Sequence, residues 1–214
     1  MLDGPFGPKR VKMIDLLIQA IQLVPEHYYS INNPKRKNGQ IVDYTNELVF
    51  PERNYCTNLY HQIILKIEDT IPNIGETYFL DEEIYKKFTG KYINNKLFKK
   101  TYNVLKCAKI GMRPDIILHR SQTSRDEKDQ LLILECKIDP ELSEIEFDKD
   151  FFKLNIYKSE LKYQNAVYLI VNNSTEKIEK YISNYIGKYW RIENGRIEVL
   201  IITKYGEEII RKSV

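Results

Sequence analysis

The 214 residues are enough for one domain with a sizeable core, and the 43% apolar and 29% charged content argues against a disordered chain. No apolar run approaches the ~20 residues that span a bilayer, so a membrane-spanning helical protein is excluded. The 33 basic and 30 acidic residues give a net charge of +3, which says little about partners, whereas their distribution says more. Three cysteines, Cys56, Cys107 and Cys136, an odd number without paired spacing, fit a reducing compartment. Met13 to Val24 is interrupted by Asp15, Gln19 and Gln22 and lacks a small-residue cleavage site. A cytoplasmic location without membrane contact is expected.

Ile14, Leu17, Ile18, Ile21 and Val24 recur at helical spacing over residues 10–24, and Pro25 stops the run. Residues 32–40 (NNPKRKNGQ) read as a turn, with Lys35 to Gly39 as a hairpin tip and residues 41–50 as a short strand or extended piece. Pro51 and Glu52 open a second helix to about Glu68, with Leu59, Ile63 and Leu65 to Ile67 on its buried side. Proline suits a first helical turn, and Glu52 there meets the positive end of the macrodipole. Residues 81 to about 99 read as one or two short basic helices.

The second half has stronger periodicity. Residues 115–119 (DIILH) form a buried strand, residues 122–129 a polar turn, and residues 130–137 (QLLILECK) the hairpin partner. Residues 144–163 are helical, with Phe147, Phe151, Leu154 and Leu161 on one stripe. A third strand at 166–171, a polar helix from 175 to about 189 and a fourth strand at 197–202 follow. The predicted architecture is an α/β domain, a mixed central sheet with helices on both faces. No linker or repeat divides residues 1–214, so a single domain is expected.

Charge is segregated along the chain. Residues 86–113 carry nine basic side chains, Lys96, Lys99, Lys100 and Arg113 among them, with no acid and with Phe88, Tyr92, Phe98 and Tyr102 interleaved. Residues 139–150 reverse this, with six acids to one lysine. The basic run reads as a nucleic-acid contact or as a solvated face, and one-sided charge favours the first. The acids read as a helix N-terminus, one of them being a candidate ligand for a second metal.

Three polar residues interrupt the hairpin. Asp115 starts one apolar strand, and Glu135 and Lys137 end the next. Residues two apart on a strand face the same side, so Glu135 and Lys137 project together while Cys136 faces away. Antiparallel pairing puts the early end of the first strand beside the late end of the second, where Asp115 joins them. Clustered carboxylates repel, and a divalent cation held by oxygen ligands, Mg²⁺ above all, resolves the conflict. Taken singly, Asp115 reads as a strand-entry residue and Glu135 and Lys137 as the solvent end of a strand. Together they read as a site. Cys56 and His61, five apart, lack further ligands for zinc; Cys136 reads as an inert buried thiol. No Gly-rich phosphate loop is present in the sequence.

Pro114-Asp115, nineteen residues, then Glu135-Cys136-Lys137 resembles the signature of the PD-(D/E)XK nuclease superfamily, with its restriction-endonuclease-like fold. The resemblance spans roughly residues 50–172 and extends to the helix bearing Glu52 upstream and the helix and strand after Lys137. It implies hydrolysis of nucleic-acid phosphodiesters with Mg²⁺ or Mn²⁺. Asp115, Glu135 and the main-chain carbonyl of Cys136 would hold the metal, Glu52 would be an outer ligand, and Lys137 would orient or activate the water. Glu52 is equally explained by its helix position. The basic segment would receive substrate phosphates, with Lys153 and Tyr157 as further candidate contacts. DNA is the expected substrate, with RNA and a non-catalytic binding domain of the same fold as alternatives. Cleavage of both strands by one site per chain would call for a homodimer.

Overall fold

The computed structural model describes residues 13–37, 40–70, 78–82, 100–101, 103–104, 113–120, 126–189 and 196–214. Helix α1 (Met13–Gln22) buries Met13, Ile14, Leu16, Leu17, Ala20 and Ile21. Strands β1 (Ile31–Lys37) and β2 (Gln40–Val49) then pair as an antiparallel ribbon of their own. The turn expected over 32–40 is not found at 32–37 or at Gln40: these residues are strand, Pro34 included, in a two-stranded sheet where each strand is an edge that tolerates a missing N–H. Asn38 and Gly39 lie outside the described residues.

Helix α2 (Glu52–Thr70) begins directly after Pro51 and buries Tyr55, Cys56, Leu59, Ile63 and Ile67. Leu65, expected on that face, is 55% exposed, because it falls half a turn from Ile63 and Ile67. Strand β3 (Phe79–Glu82) occupies positions 81 and 82 expected to begin basic helices; residues 83–99, the rest of that expectation, lie outside the described residues.

Strands β3, β4 (Ile116–His119), β5 (Gln130–Lys137), β6 (Asn165–Val171), β7 (Ile197–Ile202) and β8 (Ile210–Ser213) form one six-stranded sheet in that order. The β3–β4, β4–β5 and β7–β8 pairs are antiparallel, and β5–β6 and β6–β7 are parallel. Helix α3 (Glu144–Glu160) links β5 to β6, and α4 (Thr175–Tyr189) links β6 to β7, as parallel pairing requires.

Every residue of β4 is buried, as is every residue of β5 before Lys137, because helices cover both faces. Leu132, Leu134 and Cys136 pack with α1 and α2, while Ile133, Tyr168 and Ile170 pack with Phe147, Phe151 and Tyr185 of α3 and α4. The architecture is thus a mixed open α/β sheet between two helical layers, as the periodicity predicts. Ser143 caps α3 in a reciprocal capping box with Glu146, which fixes where the helix starts relative to the end of β5.

Candidate active site

The β4–β5 register aligns Ile116 with Leu134, so Asp115 lies beside the late end of β5, and its N–H donates to the Leu134 carbonyl at 3.2 Å. Its carboxylate turns onto the partner strand, where Oδ2 accepts the Cys136 N–H at 2.6 Å. On a strand the N–H and C=O of one residue point to the same side, so the Cys136 carbonyl is also directed past the start of β4, towards Asp115. Burial pushes the Asp115 carboxyl up to about 6, against the pull of the Cys136 N–H and the Lys137 charge.

Glu135 is on the opposite face of β5 from Cys136, as strand parity requires, and is 2% exposed. Its Oε2 accepts from Lys153 Nζ of α3 at 2.9 Å. Its Oε1 is enclosed and has no hydrogen-bond partner. Burial, with the charges of Asp115 and Asp150 adding to it, drives this carboxyl well above the ordinary range despite Lys153. A buried acceptor left unsatisfied costs roughly 1–3 kcal/mol, more when charged, so the position is held at a cost.

Lys137 leaves the same face as Glu135. Its Nζ lies 2.8 Å from Glu52 Oε1 and 3.8 Å from Asp150 Oδ2. Burial disfavours its charge, but Asp150 and Glu52 outweigh burial and hold it protonated above the usual lysine value. Glu52, the first residue of α2, reaches Lys137 from the other helical layer. Lys153 is likewise held protonated by Glu135 and Asp150 against burial, and its Nζ lies 2.7 Å from Asp150 Oδ1. The result is a chain of ion pairs running Glu52, Lys137, Asp150, Lys153, Glu135, with Asp115 beside it.

The structure therefore brings together Asp115, Glu135, Lys137 and Glu52. It adds Asp150, which sequence reasoning left among a run of helix-start acids. The signal was present: Asp150 and Lys153 are three apart on α3, one line of the helix beside the Phe147–Phe151–Leu154 stripe. Lys153, a candidate phosphate contact, is turned inward to Glu135 and Asp150. Tyr157, the other candidate on α3, is fully buried in the core and presents no surface. Lys100 and Arg113 are exposed, and Lys96 and Lys99 lie outside the described residues. Cys136 is fully buried, and burial raises its thiol well above the ordinary range, as expected of an inert core cysteine.

No family model matches the chain, and no curated protein or solved structure is significantly similar to it.

Among the described residues, no three His, Cys, Asp or Glu side chains are drawn up around one point as a ready-made metal cage. Ammonium groups stand between the carboxylates instead. The donor set nevertheless suits a hard divalent cation. It consists of oxygen ligands, it includes one carboxylate oxygen with no partner, and four carboxylates face only two ammonium groups. With all four ionised, the two negative charges in excess are what one divalent ion would neutralise.

Proposed function

We propose that the chain is a divalent-cation-dependent nuclease of the PD-(D/E)XK kind, with DNA as its substrate. One observation carries the reading: the half-buried carboxylate of Asp115 and the buried one of Glu135 meet at the shared end of an antiparallel strand pair, and one Glu135 oxygen lacks any partner. The order of α2, the β4–β5 hairpin, α3 and the parallel strand β6 supports the restriction-endonuclease-like arrangement as part of the same proposal.

Asp115, Glu135 and the main-chain carbonyl of Cys136 would hold Mg²⁺ or Mn²⁺, with Glu52 as the outer ligand. Such an ion supplies a lowered pKa for bound water and neutralises phosphate charge. Lys137, kept as an ammonium by Glu52 and Asp150, is a donor and not a base. Its role would be to orient the attacking water or a phosphate oxygen. Lys153 fixes the Glu135 rotamer through Oε2 and leaves Oε1 for the ion. The exposed Lys100 and Arg113, with the basic run between them, would receive backbone phosphates.

The test is incubation of the purified chain with plasmid, linear and single-stranded DNA and with RNA, in Mg²⁺, Mn²⁺ or EDTA. The expected result is metal-dependent DNA cleavage, lost by at least about 100-fold in Asp115→Asn and Glu135→Gln. Cleavage that persists in EDTA, or in Asp115→Asn, contradicts the reading; cleavage of RNA alone changes the substrate.

The ion pairs Lys137–Glu52 and Lys153–Glu135 favour a second reading, a non-catalytic nucleic-acid- or protein-binding domain in which the cluster is purely structural. That domain would bind no Mn²⁺ at the hairpin end and would show no cleavage under any of these conditions.

A further inference from the structure

The cluster at the end of β5 has a feature that a two-cation centre would not need. Glu135 and Asp150 face each other across Lys153, whose Nζ lies 2.9 Å from Glu135 Oε2 and 2.7 Å from Asp150 Oδ1. All three side chains are at least nine-tenths buried. A cation bridging two carboxylates is the geometry in which a second metal ion would sit, and here a tethered ammonium fills it. The remaining Glu135 oxygen, Oε1, is enclosed and unpartnered, so this carboxylate is divided between a filled position and an unfilled one.

We infer that the site takes one divalent cation per chain, and that the Lys153 ammonium stands permanently where a second cation would bridge Glu135 and Asp150. The inference rests on the metal-dependent reading of the site and specifies its stoichiometry. The charge count agrees for the ionised cluster: with all four carboxyls ionised, as metal ligation would require, Glu52, Asp115, Glu135 and Asp150 exceed Lys137 and Lys153 by two negative charges. One divalent ion neutralises the cluster, while two would leave it positive among buried groups, an arrangement that burial penalises. Lys153 projects from the helix that begins at the Ser143 capping box, so its ammonium is placed by the fold. It is a positioning residue, holding Glu135 by one oxygen and presenting the other.

The experiment is Mn²⁺ titration of the full chain, with bound ion counted by calorimetry and by the electron paramagnetic resonance of free Mn²⁺. The wild type should bind one ion per chain. Lys153→Met should bind two, with spin coupling between them. Lys153→Gln, polar and close in length, replaces the methionine variant if that does not fold, and the wild-type count decides on its own in either case. Two ions in the wild type overturn the inference and leave the metal reading intact. One ion in the folded Lys153 variant overturns the role given to Lys153. No Mn²⁺ bound by the wild type overturns the metal reading itself.

Discussion

Glu135 is the side chain on which the proposed function and stability would oppose each other. It is a nearly inaccessible carboxyl group facing Asp115 and Asp150, with Lys153 on one oxygen only. Glutamine has the same shape without the charge. Glu135→Gln in EDTA should therefore be at least as stable to urea as the wild type while losing Mn²⁺ affinity. A clear loss of stability would mean that the carboxylate is a structural ion-pair partner. Lys153→Ala should behave oppositely, costing about 3–5 kcal/mol because it strands two buried carboxylates. Asp115, Glu135 and Lys137 were legible in the sequence because a strand has a period of two and a hairpin apposes its ends. The pairing of Lys153 with Glu135 was not, because it depends on how far α3 stands from the sheet. The same inward turn buries Tyr157 in the core.

The long buried elements were the readable ones. Strands β5, β6 and β7 are mostly apolar and buried on both faces, and α3 carries Phe147 and Phe151 stacked at 5.4 Å, with Tyr168 of β6 against Phe147 at 5.3 Å. Phe151→Ala should cost about 3–5 kcal/mol in chemical denaturation, and Ser143→Ala about 1 kcal/mol through the lost cap. Strands β1, β3 and β8 were not foreseen. Phe79 of β3 is 57% exposed, and β8 (IRKS) alternates half-buried with exposed residues, so neither shows the continuous apolar run of a central strand. Partners hold β8 in place. Glu198 of β7 accepts from Arg211 Nε at 2.8 Å and from Ser213 Oγ at 2.7 Å. Burial raises its carboxyl, but those two hydrogen bonds outweigh burial and hold it below the ordinary value of 4.5. A carboxyl depressed by folding stabilises the protein above its unfolded pKa, and that contribution is lost as pH falls through the folded one. Glu198→Gln should be less stable than the wild type at neutral pH, and the difference should shrink below pH 4.5. A difference that is constant with pH would contradict the assignment.

The molecule as a whole places an acidic cluster at one end of a six-stranded sheet, in a chain whose basic residues concentrate just before it, from Lys86 to Arg113. On the proposed reading, nine cations without an acid, close in sequence to the carboxylate cluster, would act as an electrostatic guide for a polyanion. Replacing Lys96, Lys99 and Lys100 by alanine should flatten the slope of log affinity for DNA against log salt by up to about three. An unchanged slope in filter binding would move the contact surface elsewhere. The α/β class and the two helical layers were legible because apolar period and helix order fix them. The basic helices expected from residue 81 give way to strand at Asp81 and Glu82, and residues 83–99 lie outside the described residues.

The central claim is that Asp115 and Glu135 share a divalent cation, and anomalous diffraction from a crystal of the chain soaked in Mn²⁺ tests it most directly. A single anomalous peak within coordination distance of both carboxylates, absent in Glu135→Gln, is the predicted result. Full diffraction from a soaked wild-type crystal with no peak there, and with Lys137 and Lys153 still closing the cluster, would contradict it.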